Sequence, residues 1–232
     1  MNAHEAKKIL DKIVGQVFGY QNPLSLEQAM QKFAFDIKLP QQVFDTTDGS
    51  QTWAQSTNPT KFVTMENARE NETGIRPTQP INDLQELFAR WDEINYFTTE
   101  RQIDSINVSE SDNVHFSENI YRSQDIRRSK NILFSDGMQD CEFVVGGRSV
   151  SDNTFCIRIE DSGVCANSFS VSWSTRITNS MFIHDCADMQ DSMFCTNMKG
   201  GQYCIANMQF EKEEYERIRL MVVQWILSPQ EM

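Results

Sequence analysis

Stepping by three from Ser105 to Cys204 samples thirty-four residues, and none of them is charged. Eleven are Ser, six Cys, six Ile, five Val, three Met and two Gly, with Asn153 the one departure in kind. Because 23% of the chain is charged, chance would leave such a run clean roughly once in ten thousand trials, so the step of three is a structural signal. The first part alternates strictly, Ser111, Ser117, Ser123 and Ser129 with Val114, Ile120, Ile126 and Ile132. Cys141, Cys156, Cys165, Ile177, Ile183, Cys186, Cys195 and Cys204 continue the same class.

No single helix or flat strand has this period. A three-residue apolar step drifts around an α-helix within a few turns, and a strand alternates with period two. A narrow, single-stranded β-solenoid accounts for it: very short strands separated by corners turn one residue in three inward, and each coil stacks on the last. Ser then fills the tight places of the cross-section and Val, Ile or Met the wide ones. A second column supports this fold. Asn107, Asn113, Asn119, Asp125 and Asn131 recur every six residues, and Asn167, Asn179, Asp185, Asp191 and Asn197 keep the same phase. Asn and Asp suit corners because they tolerate left-handed backbone, and stacked Asn amides can form ladders. The spacing predicts coils of twelve or eighteen residues. Small and large inward positions exchange places across residues 147–162, which predicts a bulge or a re-registered corner there.

The flanks follow other rules. Ile9, Leu10, Ile13, Val14, Val17 and Phe18 form one helical face over residues 4–19, and Ser25 with Gln28 is a capping-box signal for a second short helix. Residues 37–80 carry neither period and are rich in Thr, Asn, Gly and Pro, so they read as an extended arm that orders against a partner. The arm's apolar residues Trp53, Phe62, Val63 and Met65 are its expected contacts. A third helix is predicted with Asn82 as cap and Leu84, Leu87, Phe88 and Trp91 on its buried side. A last helix, from about Lys212 to Leu227, is expected to cover the open edge of the final coil. The chain thus divides into a helical region with an arm (1–98), a mainly β solenoid (99–208) and a C-terminal capping helix (209–232).

Charge narrows the function. A net charge of −12 disfavours sequence-specific nucleic-acid binding, which needs a concentrated basic face; Arg127, Arg128 and Lys130 form the densest cationic cluster. No stretch is long and apolar enough for a membrane span, and the first residues lack a signal peptide's apolar core, which predicts a virion or cytoplasmic location. The six cysteines all fall in the inward class. Their nearest spacing is nine, which argues against a zinc site, and they read as buried thiols standing in for Ser. An eighteen-residue coil would leave a Cys186–Cys204 disulfide open. No metal or cofactor is expected.

Through residues 105–217 the chain resembles an uncharacterised group of Ser/Cys-rich β-solenoid proteins common in candidate-phylum bacteria. The likeness is carried by Tyr203, Cys204, Ile205, Lys212, Glu213, Glu214 and Tyr215. It implies the solenoid fold and brings no established activity. Members often carry Cys-x-x-Cys zinc ribbons ahead of the solenoid, whereas here no cysteine precedes Cys141.

The leading expectation is a non-enzymatic structural subunit of a large multi-protein particle, most concretely a phage virion accessory protein, bound to other subunits through residues 37–80 and the terminal helices. Two alternatives stand beside it. A solenoid acyltransferase would use His115 or His184, although the aliphatic-to-small gap here is three rather than that group's four. A carbohydrate-binding module would use the outward aromatics Phe116, Phe134, Phe182 and Phe194. The triplet His184-Asp185-Cys186 cannot converge as a catalytic cluster if Cys186 points inward.

Overall fold

A computed structural model describes residues 1–58, 61–71 and 77–228. Its body is a mainly β solenoid of seventeen short strands, from Gln102–Ile103 to Met208–Gln209, flanked by helices at both ends. Parallel pairing fixes the coil. Ile120 lies beside Ile132, Ile132 beside Val144, Val144 beside Cys156 and Cys156 beside Ser168, each step twelve residues. The coil is therefore twelve residues, and the eighteen-residue alternative falls.

Corners come at every third residue. From Asp104 to Ala206 each third position has a positive φ, and it immediately precedes an inward side chain. Each coil is thus a four-sided turn with four inward residues, two small and two large in the first coils. Left-handed backbone costs an ordinary residue about 1–2 kcal/mol, so alternate corners use Asn, Asp or Gly where they can. The expected Asn ladder is present: Asn107 Nδ2 donates to Asn119 Oδ1 (2.8 Å), and Asn119 Nδ2 to Asn131 Oδ1 (2.9 Å).

The choice of Ser over Ala for the small inward positions has a hydrogen-bonding cause. Those residues lie between strands, where the backbone N–H has no ladder partner. The Ser Oγ of the preceding coil supplies one: the N–H groups of Ser117, Ser123, Ser129 and Ser135 donate to the Oγ atoms of Ser105, Ser111, Ser117 and Ser123 at 3.1–3.2 Å. The same hydroxyl donates to the carbonyl two residues before it, as Ser123 does to Tyr121 (2.9 Å). An Ala column would leave a file of buried donors unpaired, at about 1–3 kcal/mol each.

The exchange of small and large positions needs no bulge. The twelve-residue register runs unbroken across it, with Glu142 beside Thr154 and Gly147 beside Ile159. Only the side chains change: the Ser columns through Ser129 and Ser135 become Ile177 and Ile159, while those through Ile132 and Met138 become Ser168 and Ser162. Two residues manage the transition. Gly147 leaves room for Met138, whose Sδ would lie 2.6 Å from an added Cβ. The inward Asn153 is wholly buried and takes over the Ser role, accepting from Cys165 N–H (2.8 Å) and donating to Ser162 O (3.0 Å).

One outward column is also apolar. Tyr121, Leu133, Val145, Ile157, Phe169, Met181 and Met193, twelve apart, are buried together with helix α1 (Ala3–Phe18) and helix α2 (Leu26–Phe33). The two helices lie against the side of the rod, with Phe18 and Phe33 edge-on to Phe169 at 5.3 and 5.8 Å. Capping boxes at Asn2/Glu5 and Ser25/Gln28 start them. After α2 the chain forms an antiparallel hairpin of β1 (Gln41–Phe44) and β2 (Gln51–Ala54), then β3 (Phe62–Thr64) and helix α3 (Met65–Asn71). Helix α4 (Leu84–Ile94) leads into β4 (Phe97–Thr99), which pairs with β3. The C-terminal helix α5 (Lys212–Leu227) follows the last coil, buries Tyr215, Val223, Ile226 and Leu227 in the lateral cluster, and is tied to α1 by Arg219 Nη2 donating to Val17 O (3.2 Å).

Residues 37–80 differ from the expected extended arm that orders against a partner. Residues 41–58 and 61–65 form a cover on the first coil. Thr52 and Thr99 share a buried hydroxyl hydrogen bond (2.7 Å), and Gln55 N–H donates to Asp112 Oδ2 (3.0 Å). Arg101 holds the same fully buried carboxylate by Nε and Nη2, both at 3.0 Å. The sequence concealed this because the strands are three or four residues long and Phe62 pairs with Phe97, too far along the chain for any local period.

Candidate functional site

The inward thiols are chemically quiet. All six are free and buried. Burial pushes Cys141 and Cys165 up to about 11 and raises Cys156, Cys186 and Cys195 as well. Since the thiolate is the reactive form, these groups are poor nucleophiles. The eighteen-residue spacing of Cys186 and Cys204 does not stack them in a coil of twelve. Among the described residues no group of three His, Cys, Asp or Glu could hold a metal ion.

The histidines stand apart. His115 Nε2 meets Asn113 Oδ1 (2.9 Å), and His184 Nδ1 meets Ser172 Oγ (2.9 Å) at an exposed position. Cys186 faces the core and donates Sγ–H to the carbonyl of His184 (3.2 Å), so His184, Asp185 and Cys186 do not converge.

The four outward aromatics do not make a row. Eighteen residues is one and a half coils, which puts Phe116 and Phe134 on different corners. Phe134 is fully buried beside Tyr121 (5.9 Å), while Phe116 is exposed next to His115. Phe182 and Phe194, one coil apart, stack at 4.6 Å and 7°, and Phe182 also meets Phe169 and Trp225 of α5. That pair is partly lateral packing. The arm residues are likewise occupied within the chain: Phe62 and Val63 are buried, Trp53 lies beneath the Arg122 guanidinium (5.5 Å), and Met65 Sδ accepts from Gln102 N–H (3.3 Å).

Helix α4 presents the feature that most departs from expectation. Asp83 is its N-cap, accepting from Glu86 N–H (2.8 Å), while Asn82 bonds the Glu86 side chain instead. Leu84, Leu87, Phe88, Trp91 and Ile94 share one face at helical spacing, yet all are 41–68% exposed and α4 buries none of its residues. The expected buried side faces outward. The helix is anchored by Lys61, whose Nζ donates to Asp92 O (3.0 Å) and pairs with its carboxylate. Its polar side is acidic, with Asp83, Glu86, Asp92 and Glu93 against Arg90.

Neither a family model nor a curated protein matches this sequence. Among the described residues no helix is long and apolar enough to cross a membrane.

Proposed function

We propose that the chain is a non-enzymatic assembly subunit, a stiff spacer joined to a larger multi-protein particle through helix α4. The observation that carries this reading is the apolar face of Leu84, Leu87, Phe88, Trp91 and Ile94, set on a defined helix and left exposed among the described residues. Contiguous exposed apolar surface of this kind marks an interaction site, and anchors at i, i+3, i+4 and i+7 are the pattern by which a helix enters a groove. The rod supports the reading because its backbone is paired coil by coil and its sides are stitched by ion pairs one coil apart, Arg128 with Asp140 and Arg176 with Asp188. The concrete version is an accessory protein of a phage head or tail.

Size fractionation of a lysate from the native source tests it. The wild-type chain should run with a particle far heavier than 26.8 kDa, and the L87D/W91D double substitution should release it at monomer mass with unchanged circular dichroism. A wild-type chain that runs as a free monomer overturns the proposal.

A further inference from the structure

One corner of the solenoid breaks its own rule. Along the column from Asn113 to Asn197, six of the eight residues are Asn, Asp or Gly, suited to left-handed backbone, and one is Ser; the eighth is Trp173, at φ +49°. Most other large aromatics at corners have a packing reason; Phe116, 58% exposed beside His115, is the other exception. Phe143 and Phe155 stack at 4.4 Å beneath Lys12 of α1, and Tyr203 meets Tyr215 of α5. Trp173 has no such cover and is 59% exposed. It is nevertheless held in place: Nε1 donates to Asp161 Oδ2 (3.1 Å), and the ring rests against His184 at 5.6 Å. Across the same side of the rod, the neighbouring corner carries Val164, a β-branched residue at φ +58° that is 58% exposed. Such a residue in this region is a genuine outlier.

Between these two margins the outward residues are small. Ser151, Gly163, Thr175 and Ala187 stand in register, one per coil. Beside Asp161, the residue that holds Trp173, a depression of about 480 Å³ opens, lined by Gln139, Ser149, Val150, Ser151, Asp161 and Gly163. Gly163 is not required by the fold. Its φ is not left-handed, and an added Cβ would make only ordinary contacts, with Ser151 O at 3.6 Å and Ser151 Oγ at 3.8 Å. Its lack of a side chain keeps the depression open. Departures from local structural rules without a packing reason concentrate at functional sites.

We propose that this side of the solenoid is a binding groove for a neutral oligosaccharide. A pyranose ring has one apolar C–H face and a rim of hydroxyls. Trp173, fixed and exposed, supplies the flat surface for the first. Gln139, Ser149, Ser151 and Asp161 supply donors and acceptors for the second. Asp152, Asp161 and Asp185 along the bordering corners repel an acidic sugar. The groove is separate from α4, and neither site depends on the other.

The test uses the full chain on a panel of immobilised oligomers of neutral hexoses and N-acetylhexosamines, with oligogalacturonate as acidic control, followed by calorimetry on the neutral oligomer retained. Two substitutions probe the groove. Trp173→Asn removes the platform and restores the corner preference, so binding should weaken about tenfold or more while Tm rises. Gly163→Leu fills the depression with the same loss of binding. Trp91→Ala, on α4, should bind as the wild type does. The inference is overturned if no neutral oligomer binds at millimolar concentration, if only the acidic control binds, if binding survives either groove substitution, or if Trp173→Asn lowers Tm.

Discussion

Replacing Ser123 by Ala isolates the interaction on which the narrow core depends. Ser123 is wholly buried; its Oγ donates to Tyr121 O (2.9 Å) and accepts the N–H of Ser135, one coil on (3.1 Å). Tyr121 O keeps a second donor, Phe134 N–H at 3.1 Å, so the carbonyl stays paired. The Ser135 N–H has no such substitute. Ser123 and the neighbouring inward residues Ile120 and Ile126 are all fully buried, which keeps the freed N–H out of reach of solvent. The cost is therefore that of one unsatisfied buried donor, about 1–3 kcal/mol. Ser172→Ala is the matched control. Its hydroxyl bonds His184 at the surface, and removing it should change stability by less than about 0.5 kcal/mol. Denaturant unfolding followed by circular dichroism gives the difference, and amide hydrogen exchange locates it, because protection should fall at Ser135 first. If the two variants are equally stable, or Ser135 exchange is unchanged in Ser123→Ala, the hydroxyl does not serve the next coil and the account of the Ser columns is wrong.

Further expectations test other parts of the fold. Gly146→Ala should destabilise by about 2 kcal/mol or more, since the residue is left-handed (φ +67°) and an added Cβ would lie 2.3 Å from Phe33 O; a thermal melt equal to wild type would show that α2 does not press on the rod there. Iodoacetamide at pH 8 should leave Cys141 and Cys165 unmodified in the folded chain and label them in urea, as burial raises both to about 11; mass spectrometry showing native labelling within minutes would contradict the inward placement. Asp45 should make the N-terminal cover acid-labile. Burial works to raise its pKa, but hydrogen bonds from Thr47, Thr64 and Asn67 outweigh it and hold the carboxyl well below its usual range. Its contribution is complete above the unfolded value of about 3.9 and is lost as pH falls through the depressed folded value. Proteolysis in residues 41–58 should therefore increase below about pH 4 while the solenoid stays resistant; cover and solenoid failing together at one pH would refute the assignment.

The solenoid was legible in the sequence because its rule is local and repeated. Ser117, Ile126 and Cys195 point inward for the same reason, a turn every third residue, and so many repetitions outweigh any single exception. The Asn ladder, the Ser25/Gln28 capping box and the buried state of the cysteines follow from equally local chemistry. What one chain could not state was the number of residues per coil, since six-residue spacing fits twelve and eighteen alike; only hydrogen bonding between coils selected twelve. That number then decides what lies above what. It separates Phe116 from Phe134, removes any stacked Cys186–Cys204 pair, and turns Tyr121, Leu133, Val145, Ile157 and Phe169 into one stripe for α1 and α2, a stripe readable at a period of twelve once that period is known. The cover built from residues 41–58, the outward face of α4 and the groove beside Trp173 lay beyond sequence reasoning. Each depends on which surfaces remain after distant segments have packed, and a local pattern records that a side chain is apolar, not whether another segment arrives to bury it.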